Sequence, residues 1–317
     1  MAPSEPGCGR FRVQAMHLGA EQIHLYELVP VTPMQLPEVE PGAHIDLQLP
    51  NGLLRQYSLI SPLCDARRYL IAVKREAQGR GASRWLHDQL RLGQTLEVSA
   101  CRNSFPLRDT EDDYLLLAGG IGITPIYSMY RHLQAQGKRL RLHYWGRSAD
   151  TMLFHEALQA EADATLHAGQ EAPRPRLQEV LAGVSQNTSI YCCGPQSMID
   201  ELQATAAEQG LERVYHERFG KAVIDTEDSD SFEMVLARSG RVIAVAKDET
   251  MLEALIKQEV EVMYSCEQGI CGACEVRCLE GDILHLDSVQ TAAEHEKNGT
   301  VMVCCSRAAS ARIVLDI

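Results

Sequence analysis

The chain has 317 residues, more than one hydrophobic core usually organises, so two or three domains are expected. A formal charge of −13 excludes nucleic acid and anionic membrane surfaces as partners, since both reward positive fields, and it suits a basic protein partner instead. Eleven cysteines, no apolar signal run after Met1-Ala-Pro-Ser4, and no apolar stretch near the roughly 20 residues that span a bilayer predict a reduced, cytoplasmic protein rather than a disulfide scaffold.

Residues 1 to 10 lack periodicity and read as a loose terminus. From Phe11 short strands begin. Residues 43–49 alternate strictly, Pro50-Asn-Gly52 turns the chain, residues 53–60 resume, and residues 69–74 (ending at Lys74) and 95–98 add two further runs. That spacing predicts a small antiparallel barrel. One helix is expected in it, with Ser83 as N-cap before residues 84–90. Arg55-Gln-Tyr57-Ser58-Leu59 offers a bidentate phosphate clamp, a flat aromatic face and a hydroxyl for a ring edge. Gly79-Arg80-Gly81-Ala82-Ser83 lies where a loop enters the helix, and free amides at such a point suit an anion.

After the connector at residues 101–107, buried strands alternate with helices. Residues 113–118 form a parallel-strand run that breaks at Gly119-Gly120-Ile-Gly122-Ile-Thr124-Pro125, and a helix is expected from Ile126 to about Gln136. The glycines let a pyrophosphate approach the helix start, although this is not the G-x-G-x-x-G fingerprint with a distant acid. Two further strand-helix units follow: residues 140–145 into Gly146-Arg147-Ser148, and residues 189–193 into Gly194-Pro195 with a helix from Gln196. Their loops fall at strand C-termini, where open α/β sheets bind ligands. In a regular strand Cys192 points away from the face of Cys193. Glu217-Arg-Phe219 ends this region, and residues 224–231 read as an acidic linker. Beyond it come a hairpin turning at Ser239-Gly240, a capping box at Thr250 and Glu253, and a final strand from Arg312.

Cys266, Cys271 and Cys274 follow C-x4-C-x2-C, with Cys304 and Cys305 downstream, which is the ligand spacing of a plant-type 2Fe-2S cluster. Gly269 and Gly272 let the loop curl around it. Structural zinc favours two short pairs of cysteines, so the cluster is the expected occupant, and Cys278 reads as a half-buried strand residue.

The three motif sets, in this order, resemble the phthalate dioxygenase reductase type, which includes vanillate demethylase and carnitine monooxygenase reductases, over residues 11 to 317. The resemblance implies a multidomain chain. Its parts are an antiparallel β-barrel flavin domain at 1–108, an α/β nucleotide-binding domain at 109–222, a linker at 223–231 and an α+β β-grasp ferredoxin domain at 232–317. It implies FMN, held by Arg55, Tyr57, Ser58, Lys74, Arg80, Gly81, Ala82 and Ser83, with Ala82 standing where relatives usually have glycine. It implies NADH against Gly120, Gly122, Thr124, Pro125, Gly194 and Pro195, with Arg147 and Ser148 on the adenosine side. Cys193, Glu217 and Phe219 are then expected at the reacting rings, and the Cys304-Cys-Ser-Arg307 run implies Cys304 as fourth ligand beside Cys266, Cys271 and Cys274. The implied activity is an NADH-dependent iron–sulfur flavoprotein reductase that passes electrons to a Rieske-type terminal oxygenase. Two alternatives stand beside it: a reductase of a free ferredoxin, and a diaphorase whose cluster is a redox sensor. Residues 232–317 carry eight Lys and Arg against fourteen Asp and Glu, an acidic surface suited to steering a basic partner.

Overall fold

Alternating apolar residues close the first hundred residues into an antiparallel barrel made of β1 (Gly9–Ala20), β2 (Ile23–Pro30), β3 (His44–Gln48), β4 (Leu54–Ser58), β5 (Tyr69–Lys74) and β6 (Thr95–Val98). This computed structural model describes residues 7–317 except 51, 78–80, 109–110, 170–174, 220–229, 265–266, 268, 270–271, 288 and 291. The strand order is β4-β3-β6-β1-β2-β5, and an antiparallel bridge between Leu59 and Ile71 closes the ring. β1 runs for 12 residues rather than as a short strand, because register shifts between Val13 and Ala15 and between Leu18 and Ala20 bend it around the barrel. Inside, Phe11, Tyr26, Ile45, Leu47, Ile71 and Val73 form the core, with Leu86 of α1 (Ala82–Asp88) plugging it.

Residue 113 begins the second layer system: β7 (Asp113–Gly119), α2 (Ile123–Ala135), β8 (Arg139–Gly146), α3 (His155–Gln159), β9 (Ala164–Ala168), α4 (Leu177–Leu181), β10 (Ser189–Gly194), α5 (Gln196–Gln209) and β11 (Val214–Arg218). All five strands are parallel, in the order β11-β10-β7-β8-β9. The chain therefore leaves β7 in one direction and returns to pair β10 on its other side. That reversal makes the C-terminal ends of β7 and β10 the topological switch point. α2 starts three residues earlier than the sequence suggested, with Pro125 inside its first turn, where a missing N–H costs nothing. β9 and β11, the two edge strands, were not anticipated.

These two layers share a core. Ile23, Ile60, Leu70 and Ala72 of the barrel pack in the same cluster as Ile126, Met129, Tyr191 and Cys193. Residues 1–219 accordingly form one compact unit, and residues 220–317 a second. The expected linker falls almost wholly outside the described residues.

The second unit contains β12 (Phe232–Leu236), β13 (Val242–Val245), α6 (Met251–Lys257), β14 (Glu275–Glu280), β15 (Ile283–Leu284), α7 (Ala292–Asn298), β16 (Thr300–Met302), β17 (Arg307–Ala308) and β18 (Arg312–Leu315). Its main sheet has the order β13-β12-β18-β14-β16, with β12 and β18 parallel, and α6 buries Met251, Leu252 and Leu255 in the core. This is the β-grasp arrangement. The β12–β13 hairpin turns at Gly240, which adopts φ 69°. α6 opens on the expected capping box: the Glu253 N–H donates to Thr250 Oγ1, and the Thr250 N–H to Glu253 Oε2, each at 3.0 Å. Among the described residues no helix is long and apolar enough to cross a membrane.

Candidate redox sites

At the switch point, the two expected glycine turns meet backbone to backbone. A Cβ on Gly122 would lie 2.2 Å from the carbonyl oxygen of Cys193, and one on Gly119 would lie 2.6 Å from Pro195 Cδ and 3.2 Å from Gly194 Cα. Only glycine permits this approach. A glycine turn of this kind at a helix start is suited to a pyrophosphate. Thr124 is buried there, with its hydroxyl donating to the Ile121 carbonyl at 3.1 Å, and Gly120 takes φ 56°. The donor set fits an extended dinucleotide. At the end of β8 Arg147 is exposed, while Ser148 N-caps a short 3-10 turn, its N–H donating to Thr151 Oγ1 at 3.2 Å.

Cys193 and Glu217 are register partners on β10 and β11. As the alternation requires, Cys192 faces one core and Cys193 the other. Cys193 is sealed, and burial first, then the neighbouring Glu217, pushes its thiol well above the ordinary range. Burial also raises Glu217 from 4.5 to about 8, and its Oε2 has no hydrogen-bond partner among the described residues. A carboxyl group held neutral at the end of a nucleotide crevice is a proton donor looking for an acceptor. Two residues on, Phe219 exposes 40 % of its surface.

The barrel opens between β4 and β5. Among the described residues no ladder pairs them; just past β4 the chain joins β5 through the Leu59–Ile71 bridge and the Ile60 N–H to the Leu70 carbonyl at 3.0 Å. Arg55, Tyr57 and Ser58 belong to β4, and extending the bridge register sets Lys74 of β5 across from Gln56. Tyr57 is kept protonated, its phenol raised chiefly by burial. Lys74 pairs with Glu76 at 2.6 Å. α1 begins at the end of this seam, but not as the sequence suggested. Gly81 in the left-handed region (φ 99°) is the N-cap, Ala82 is the first helical residue, and the Ser83 hydroxyl accepts the Glu76 N–H at 3.1 Å. A glycine that can take positive φ turns the chain into the helix two residues sooner than the serine cap would. Arg80 lies outside the described residues. An open seam with an arginine, an aromatic face and a hydroxyl on its lip fits a flavin.

In the second unit Cys266 and Cys271 lie outside the described residues, and Cys274 and Cys304 are buried. The Val303 N–H donates to the Cys274 carbonyl at 3.3 Å, so the segments carrying these two cysteines run side by side. Cys305 lies beneath the loop instead: its thiol donates to the Met302 carbonyl, and a Cβ on Gly269 (φ 73°) would lie 2.5 Å from its sulfur. Two buried cysteines on adjoining segments, with Gly269 and Gly272 at positive φ, fit an iron–sulfur cluster. Cys278 is half-buried on β14, as expected.

Two positioning residues escaped the sequence reading. Ser128 on α2 is fully buried; its Oγ accepts the Ser61 N–H at 3.1 Å and lies 3.2 Å from both the Leu59 and Thr124 carbonyls. It fastens the barrel lip to the helix that starts the nucleotide crevice. A serine on an otherwise apolar helix face was the available signal. Arg307 is also buried, and its guanidinium donates to the carbonyls of Glu249 (2.6 Å), Asp230 (3.0 Å) and Ala246 (3.1 Å) while lying 5.2 Å from the Phe232 ring centroid.

Comparison with known proteins agrees with this geometry. Residues 116–204 match the oxidoreductase NAD-binding domain, and residues 234–309 match the 2Fe-2S iron-sulfur cluster binding domain. The chain is 42 % identical to tetrachlorobenzoquinone reductase of Sphingobium chlorophenolicum, covering 94 % of each chain. It is 39 % identical to vanillate O-demethylase oxidoreductase of Pseudomonas sp. (strain HR199 / DSM 7063), over 96 % of this chain and 98 % of the relative. A solved phthalate dioxygenase reductase, described as a modular structure for electron transfer from pyridine nucleotides to [2Fe-2S], superposes with TM-score 0.73 at 35 % identity and 98 % coverage of both chains.

Proposed function

This chain belongs to the phthalate dioxygenase reductase family and is an NAD-dependent iron–sulfur oxidoreductase of the kind that serves oxygenase systems; from that premise we propose that it uses NADH and FMN and delivers electrons to a Rieske-type terminal oxygenase. The observation that carries the proposal is the shared core of barrel and sheet, with Ser128 holding the open lip of β4 against the start of α2. A flavin seated there supplies the conversion of a two-electron donor into the single electrons a 2Fe-2S cluster takes.

The chain's own residues do the placing. Arg55 and the loop of Arg80, Gly81, Ala82 and Ser83 would clamp a flavin phosphate, Tyr57 would offer the ring a flat face and Ser58 a hydroxyl, and Lys74 would stand across the seam. Gly120, Gly122, Thr124 and Pro125 seat the pyrophosphate, Arg147 and Ser148 hold the adenosine end, and Gly194-Pro195 brings the nicotinamide inward beside Cys193. Glu217, protonated at neutral pH, would offer its acid hydrogen to the carboxamide of a bound nicotinamide, and the half-exposed Phe219 would cover a bound flavin ring. Cys266, Cys271, Cys274 and Cys304 hold the cluster. NADH is favoured because no lysine–arginine cluster for a 2'-phosphate follows Ser148, and FMN because the phosphate loop ends at Ser83 in a family of this module order.

The test is NADH-dependent turnover of a purified Rieske oxygenase, with the heat-released flavin identified by chromatography. Coupling that weakens as salt shortens the Debye length below about 10 Å is expected from the acidic ferredoxin surface. FAD at equal stoichiometry, a higher kcat/KM with NADPH, or coupling that survives loss of the cluster refutes the corresponding part. A second reading, direct reduction of a small quinone, is favoured by the name of the relative at 42 % identity. It predicts quinone turnover that persists without the cluster.

A further inference from the structure

Across the second unit, one group of side chains belongs to neither the cluster ligands nor the core. His285, Asp287 and His295 bring one donor atom each to within 4.8 Å of one another. We propose that they form a binding site for a divalent transition-metal ion, zinc being the best match.

The argument begins with Asp287, whose side chain is fully buried. Its Oδ2 accepts the Val289 and Gln290 N–H groups, each at 3.2 Å, which fixes the carboxylate plane. Its Oδ1 faces His295 Nε2 at 3.4 Å and His285 Nδ1 at 3.9 Å, with Ser306 Oγ at 3.5 Å behind it. A tetrahedral zinc ion with bonds of about 2.0–2.1 Å separates its ligand atoms by roughly 3.3 Å, so the carboxylate–imidazole spacings are close to the edges of a coordination polyhedron. The His295 side chain is only 9 % exposed, and its Nδ1, like Nδ1 of His285, has no hydrogen-bond partner among the described residues. The two imidazoles stack at 3.6 Å between centroids, 18° from parallel, which sets His285 Nδ1 and His295 Nε2 beside the same oxygen. A hinge of the rings about their soft outer torsions converges both lone pairs.

Two imidazoles and one carboxylate suit zinc better than calcium or magnesium, which take oxygen ligands. Amides and a hydroxyl already orient the carboxylate, as outer partners do in established sites. Three protein ligands leave a coordination position open to water. A Cβ on Gly269 would lie 3.0 Å from Asp287 Cα, so the site backs onto Gly269.

The test uses tag-free holoprotein with its cluster intact, verified by visible absorbance before and after zinc sulfate is added. Calorimetric titration is expected to give one zinc per chain, and crystals soaked in zinc an anomalous peak at the zinc edge among the three side chains. His285→Ala and His295→Ala, which leave the cluster spectrum unchanged, are expected to weaken binding by at least about tenfold. Affinity unaltered in both variants, or zinc found only on cysteines, overturns the proposal.

Discussion

Replacing Glu217 by glutamine removes a titrating group without altering its shape, which makes its burial measurable. Folding holds the acid at about 8 against an ordinary 4.5. At about 1.4 kcal/mol for each tenfold change in proton affinity, the difference is on the order of 4–5 kcal/mol. The sign follows from the raised value: the stabilising contribution is complete below pH 4.5, declines as pH rises, and is gone above pH 8, where the buried carboxylate must ionise. Glutamine has no such slope. For a unit of this size about 1 kcal/mol moves the melting temperature by roughly 2–4 °C, so the wild-type holoprotein is expected to fall by on the order of 10 °C relative to Glu217→Gln between pH 5 and pH 9. Thermal melts followed by flavin fluorescence at closely spaced pH values measure this. Parallel pH profiles for the two proteins would refute the reasoning, because they would mean that Glu217 is already ionised in the folded protein.

Cys304→Ser is expected to abolish iron and sulfide content while NADH-driven reduction of artificial acceptors persists, and Cys305→Ser is expected to keep the cluster; elemental analysis of both variants decides it. Gly122→Ala places a methyl group 2.2 Å from the Cys193 carbonyl oxygen, so an overpacking cost of about 1–3 kcal/mol and a raised KM for NADH are expected from melts and steady-state kinetics. Ser128→Ala removes the acceptor of the half-buried Ser61 N–H at a cost of about 0.5–1.5 kcal/mol, and weaker flavin retention on dilution, with nicotinamide binding less affected, is the expected signature.

What could be read in the sequence was whatever local chemistry dictates. The spacing of Cys266, Cys271 and Cys274, the run from Gly119 to Pro125, and the Thr250–Glu253 box each fit within about ten residues, and each carries its own physical reason. β9 and β11 failed that test because they are short edge strands: Ala164-Thr-Leu-His-Ala168 and Val214-Tyr-His-Glu-Arg218 mix polar and apolar residues, and pairing with β8 and β10 makes them strands. Ser83 was misplaced as a cap because its partner, the Glu76 amide, reaches it across a loop, while Gly81 could enter the helix unaided. The roles of Ser128 and Arg307 were hard to read for a related reason. Their partners on other elements, Ser61 and Leu59 for the serine and Glu249, Ala246 and Asp230 for the arginine, lie 58 to 77 residues away, and no local pattern encodes such pairings.

The apolar cluster common to barrel and sheet bears on how such proteins can be recombined. A chimera cut near residue 108 would separate Ile23, Ile60, Leu70 and Ala72 from the surface they cover on Ile126, Met129 and Tyr191, and each half would present greasy patches shaped for a different mate. Swapping nucleotide preference by exchanging whole segments therefore demands that the seam be recut on both sides. A junction within residues 220–229, between the two compact units, severs no part of that cluster, so the ferredoxin end is the interchangeable cartridge and residues 1–219 are the chassis.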